Sequence, residues 1–158
     1  MTPLSSQRVR AFARLLAPIA LSVALPSITQ AALGGTEASV EVDRVRMKAA
    51  LKTSQTALYT VHEMQTPSGI TVREFVSPAG VVFAVTWQGP FMPDLRQTLG
   101  AYFPIFQTAP PTARFGHSHL MVERSDLVVR SGGHLRSFFG LAYVPRLVPA
   151  GVAADQLK

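Results

Sequence analysis

The stretch LYTVHEMQTPSGITVREFVSPAGVVFAVTW, residues 58–87, decides the fold. Residues 58–65 alternate, with β-branched and aromatic content, and Thr66-Pro67-Ser68-Gly69 is turn chemistry. Residues 70–76 (ITVREFV) alternate again, with Ile70, Val72 and Glu74 towards one side, and Ser77-Pro78-Ala79-Gly80 is a second turn. Residues 81–87 (VVFAVTW) are almost continuously apolar, the pattern of a central strand covered on both faces. The three runs read as an antiparallel meander.

Working outward, Ala38, Val42, Val45 and Ala49 recur at helical spacing upstream of the meander, with Glu37, Glu41, Arg44 and Lys48 opposite. Thr36 is placed to cap a helix over roughly 37–51. The alternative is a short strand at 39–42. Within the helix Glu41 meets Arg44, and Arg44 meets Lys48 only repulsively. Downstream, Gly89-Pro90 ends the sheet. Pro93 and Asp94 suit a helix start, and Leu95, Leu99, Tyr102 and Phe103 form one apolar face. Pro104 predicts an end, giving a helix over roughly 93–103.

Residues 118–124 (SHLMVER) and 127–131 (LVVRS) flank Ser125-Asp126, a two-residue hairpin turn in which paired positions sum to 251. Gly132-Gly133 interrupts the pattern. Residues 134–144 (HLRSFFGLAYV) form one more strand, with Gly140 as a candidate bulge. The order α-β-β-β-α-β-β-β predicts an α+β domain: an antiparallel sheet of about six strands with two helices packed on one face.

The first 31 residues read as a cleaved signal peptide. Arg8, Arg10 and Arg14 precede an uncharged apolar run, residues 15–28, and Thr29-Gln30-Ala31 places small residues for a cut after Ala31. The run is too short for a membrane span, which takes about 20 residues, and contains Pro18 and Pro26. The arginines are not paired as a twin-arginine route requires. The expected layout is a signal peptide at 1–31, a flexible start at 32–35, one domain at 36–148 and a flexible tail at 149–158. The mature chain is expected in the periplasm or secreted, with no transmembrane span.

Removing residues 1–31 leaves 12 Lys and Arg against 9 Asp and Glu, so the net charge falls from +6 to +3. The basic residues are dispersed, apart from Arg44, Arg46, Lys48 and Lys52, and no nucleic-acid-binding module is present. With no cysteine, disulfides, a thiol nucleophile and cysteine-ligated metals are excluded. Stability must come from burial.

Histidine offers the most local chemistry. In the hairpin register above, His117 faces His134 and His119 faces Gly132, which predicts a three-imidazole set able to take zinc or copper. The competing reading is solvent-facing histidines without a metal. His62 lies on another hairpin. Trp87, Phe91 and Tyr102 surround the junction at Gly89-Pro90 and are candidates for a ligand groove, with Phe103 and Phe106 nearby. For Trp87 and Phe103 the core is the preferred place. Gly116-His117-Ser118-His119 lacks the second glycine of a nucleophile elbow. Nothing in the spacing of Glu63, Glu74, Glu123 and Asp126 forces a catalytic carboxylate pair.

Residues 32–36 (ALGGT), 86–100 (TWQGPFMPDLRQTLG) and 116–145 (GHSHLMVERSDLVVRSGGHLRSFFGLAYVP) resemble an exported bacterial family, domain of unknown function 2844. The resemblance covers most of the mature chain and implies a Gram-negative, exported setting. It carries no activity, cofactor or catalytic residue. The expected function is therefore a non-catalytic binding or assembly module for another envelope or secreted protein, with strand addition at a sheet edge as one mode. The alternative is a metal- or small-ligand-binding periplasmic protein.

Overall fold

The computed structural model describes residues 33–110 and 120–158. Helix α1 (Glu37–Met47) is followed by strands β1 (Ala50–Gln55), β2 (Thr60–Gln65), β3 (Thr71–Val76) and β4 (Val82–Gly89). Helix α2 (Leu95–Leu99), a tight turn at Gly100–Tyr102 and helix α3 (Phe103–Thr108) come next. Strands β5 (Leu120–Glu123), β6 (Val128–His134) and β7 (Ser137–Tyr143) complete one seven-stranded sheet in the order β1-β2-β3-β4-β7-β6-β5. Every neighbouring pair is antiparallel. The fold is α+β, as the element order predicts, with seven strands rather than six.

The additional strand is β1. The expected helix over 37–51 stops at Met47 because Lys48 adopts the left-handed conformation (φ 51°). The Lys48 and Ala49 amides bond back to the Val45 and Arg44 carbonyls, a Schellman closure. Glycine usually supplies that conformation, so the sequence carries no stop signal here. The short strand considered at 39–42 lies inside α1. The helix also presents a different face from the one expected. Ser39, Val40 and Asp43 are buried, while Ala38 and Val45 are exposed. Arg44 does chelate Glu41, through Nε at 2.7 Å and Nη2 at 2.6 Å.

Pro104 begins a helix instead of ending one. It occupies the first turn of α3, where its missing N–H costs nothing. Asp94 caps α2, its carboxylate accepting from the Arg96 and Gln97 amides. Gly132 and Gly133 lie within β6, and the interruption falls later, in the turn at Leu135-Arg136.

The two faces of the sheet are covered differently. On one face Val72, Val85, Trp87, Val129 and Ala142 pack with Val40 of α1 and Leu99 of α2. On the other, Phe75, Phe83 and Ala84 pack against Leu157, with Val148, Val152 and Ala154 beside it. Phe83 is the extra residue of a bulge between β3 and β4, so it joins Ala84 on this second face. Residues 149–158, expected to be a flexible tail, cross that face, and Leu157 is only 5% exposed. Residues 33–35, expected to be a flexible start, are also tied down. The Gly34 amide bonds to the Val82 carbonyl, the Gly35 carbonyl accepts from Val82, and Leu33 is buried.

Gly140 marks no bulge. It pairs regularly with Trp87 on one side and Ser131 on the other. A Cβ at Gly140 would stand 2.1 Å from the Trp87 ring, so the glycine makes room for the indole. Among the described residues, no helix is long and apolar enough to cross a membrane.

Candidate functional site

Strand register builds a cavity on the face crossed by the C-terminal segment. Arg73 pairs with Thr86, Thr86 with Leu141, Leu141 with Arg130, and Arg130 with Met121. Cross-strand partners share a face, so these five side chains form one row from β3 to β5. Gln88 and Phe139 begin the next row. Asp155, Leu157 and Lys158 supply a wall of a half-open cavity of about 660 Å³. That size lies within the range for small-molecule sites, roughly 300–1,000 Å³.

Its polar atoms are mostly donors. Arg73 gives Nε to Glu63 at 2.6 Å, and Arg130 gives Nη2 to Glu123 at 3.0 Å. Arg130 Nε and Thr86 Oγ1 are sealed from solvent and have no hydrogen-bond partner. A buried polar atom left without a partner costs about 1–3 kcal/mol, and with Trp87 Nε1 three of the cavity's lining residues carry one.

A second polar group lies under α1, on the opposite face. Asp43 and Glu74 are 0% and 1% exposed. Burial, the negative charge of Asp43 and their mutual hydrogen bond push Glu74 up to about 8. Burial raises Asp43 to about 6, opposed by hydrogen bonds from Gln97 and Glu74 and by Arg46. Glu74 therefore keeps its proton at neutral pH and donates it to Asp43, while Gln97 donates to Asp43 Oδ1 at 2.8 Å. His62, opposite Glu74 in the sheet, is occupied by Thr53 at 3.1 Å and Glu37 at 3.2 Å. The arrangement closes a helix–sheet interface.

The expected site residues separate as follows. His134 is exposed at the end of β6, its Nδ1 3.4 Å from the Leu135 carbonyl. His117 and His119 lie outside the described residues. The hairpin register assumed for them holds from Leu120↔Ser131 to Glu123↔Val128. Among the described residues, no group of three or more His, Asp or Glu side chains could hold a metal ion. Trp87 is buried and borders the cavity, Phe91 is 55% exposed, and Tyr102 packs at Gly34 and accepts a hydrogen bond from Arg146 at 3.2 Å. Neither Phe91 nor Tyr102 lines the cavity that Trp87 borders.

Sequence reasoning missed Thr86, Arg130 and Arg73 as a set. The available signal was the register: once the 251 sum and the adjacent pairings are known, Arg130 and Thr86 fall two strands apart in one row.

Residues 29–157 match the profile of a protein family of unknown function, DUF2844. The chain belongs to that family. No curated protein and no solved structure gives a significant match. Membership accounts for the resemblance in 32–36, 86–100 and 116–145 and assigns no chemistry to the cavity.

Proposed function

We propose that this DUF2844 protein is a non-catalytic binding module of the cell envelope, exported after cleavage behind Ala31, and that its target enters the cavity between the sheet and the C-terminal segment. The observation that carries this reading is the cavity itself, about 660 Å³ and lined by Met121, Phe139 and Leu141 together with Arg73 and Arg130. A binding role fits this lining better than a catalytic one. Among the described residues its single carboxylate is Asp155 and it contains no histidine, so these residues assemble neither a carboxylate pair nor a nucleophile with its base.

Native mass spectrometry of the protein taken from the cells that make it tests both parts. The expected chain begins at Ala32 and carries a discrete adduct, which Phe139→Asp removes by placing a charge at the cavity wall. Recovery of the chain with residues 1–31 attached overturns the export reading. A protein with no adduct at native concentration overturns the cavity reading.

A second reading rests on β1. It ends the sheet, all six of its residues are exposed, and it pairs with β2 in unbroken register without proline or bulge. Such an edge is a template for an added strand from a protein partner. A photo-crosslinker at Leu51 should then trap a partner that the same crosslinker at Val45, exposed on α1, does not. Equal trapping at the two positions counts against strand addition.

A further inference from the structure

We infer that α1 is a latch over β2 and β3 that opens when the proton shared by Asp43 and Glu74 is lost, lifting the helix off the sheet while its two ends stay attached. The latch is independent of the cavity on the other face. Two polar links fix where the helix lies. Glu37, in its first turn, meets His62 of β2 at 3.2 Å, and Asp43, further along, meets Glu74 of β3. His62 and Glu74 are cross-strand partners. Met64 and Val72 lie beside them on the same face, both fully buried. Lifting α1 uncovers that part of the sheet.

Hydrocarbon holds the helix weakly. Of the apolar side chains of α1 only Val40 is buried, and Ala38 and Val45 are exposed. Beside its far end, Met47, Lys48 and Gln97 line a cavity of about 270 Å³ in place of solid packing. The polar contact is therefore decisive. Asp43 Oδ2 and Glu74 Oε2 are sealed from solvent, and only a proton held between them satisfies both. The other groups facing the pair are the Gln97 amide on Asp43 Oδ1, His62 beside Glu74, and Arg46 at longer range. His62 is taken by Thr53 and Glu37. Among the described residues no ion pair reaches Asp43 or Glu74. With the proton gone, two buried negative charges face each other with little to oppose them, which favours the open helix. The ends of α1 are tied separately. The Glu37 amide bonds to the Gly80 carbonyl, Thr36 bridges Val81, and Lys48 leads into the β1–β2 ladder.

Native-state hydrogen exchange of the purified protein tests the latch, read by mass spectrometry from about pH 6 to about pH 8, with Glu74→Gln beside wild type. Dividing by the intrinsic exchange rate gives an opening constant for each segment. In this window the closed pair holds one proton that the open pair releases, because burial raises Asp43 to about 6 and Glu74 to about 8. The opening constant of residues 41–47 should therefore rise about tenfold per pH unit. It should exceed those of β4 and β7 by at least about tenfold throughout, since a local opening is easier than a global one. In Glu74→Gln it should stay level. Equal opening constants for α1 and β4 overturn the latch, because the helix then leaves only when the sheet unfolds. A slope retained in Glu74→Gln overturns the role of the shared proton and moves it to His62. Wild type is decisive even if Glu74→Gln fails to fold: an α1 constant that is level across the window overturns the shared proton by itself.

Discussion

Glu74 on β3 donates its proton to Asp43 on α1, across an interface that admits no water to either carboxyl group. The pair joins the first helix to the sheet, and its charge state is written into stability. Both groups are raised in the folded chain, so the native state holds more protons than the unfolded chain between about pH 4 and pH 8. Their contribution is complete below the ordinary carboxylate range. It is lost as pH rises through about 6 and then about 8. Denaturant midpoints should therefore fall from mildly acidic to mildly alkaline solution. Glu74→Gln keeps the hydrogen bond without a titratable proton. It should flatten this fall and stabilise the protein at alkaline pH by roughly 1–3 kcal/mol. A wild-type midpoint that rises across the same range would contradict the proton assignment.

Trp87 and Gly140 make one packing unit. Trp87→Ala should cost about 3–5 kcal/mol, the usual range for a buried large aromatic. Gly140→Ala should cost about 1–3 kcal/mol through overpacking, because the new methyl meets the indole at 2.1 Å. The double variant should lose less than the sum, since removing the ring removes the clash. Urea denaturation of all four proteins measures the coupling, and strict additivity would mean the clash is relieved elsewhere.

Thr86→Val should raise stability by about 1 kcal/mol, because a buried hydroxyl without a partner gives way to a methyl of the same shape. The gain is read in protein freed of ligand, by thermal denaturation. A loss of stability would mean that the hydroxyl has a partner in solution.

Lys48→Gly should stabilise by about 0.5–1 kcal/mol, since Lys48 holds a left-handed conformation at the end of α1 that glycine adopts without strain. Chemical denaturation of the two proteins is sufficient. A cost instead of a gain would show that the lysine side chain makes up for its backbone.

The parts legible in sequence were those where burial leaves a period or a turn leaves a residue pair. β2, β3 and β4 alternate or run apolar between Pro- and Gly-containing turns. Ser125-Asp126 fixed the register of β5 against β6 because the Arg124 amide bonds the Leu127 carbonyl around a two-residue turn. β1 was hidden for the opposite reason: ALKTSQ is exposed throughout, so no face imposes a pattern. The buried face of α1 was hidden because it carries Ser39 and Asp43, which ordinary hydropathy assigns to solvent. Asp43 is tolerated there through a proton on Glu74, thirty-one positions later. The cavity was hidden because Arg73, Thr86 and Arg130, taken singly, look like solvated positions on strands. Only the pairing order gathers them.

The sheet is two meanders joined along a single seam, β4 against β7. The first meander, β1 to β4, forms from neighbouring hairpins, and so does the second, β5 to β7. The seam must bring together strands about fifty residues apart along the chain, so loop closure makes it the slow step of folding. During synthesis the most apolar strand, β4, is finished long before its partner exists. Until Tyr143 is available, Phe83, Val85 and Trp87 sit on an open edge of the kind that pairs with other chains. The chain thus cannot complete its core early, and it depends on whatever shields that edge until β7 arrives.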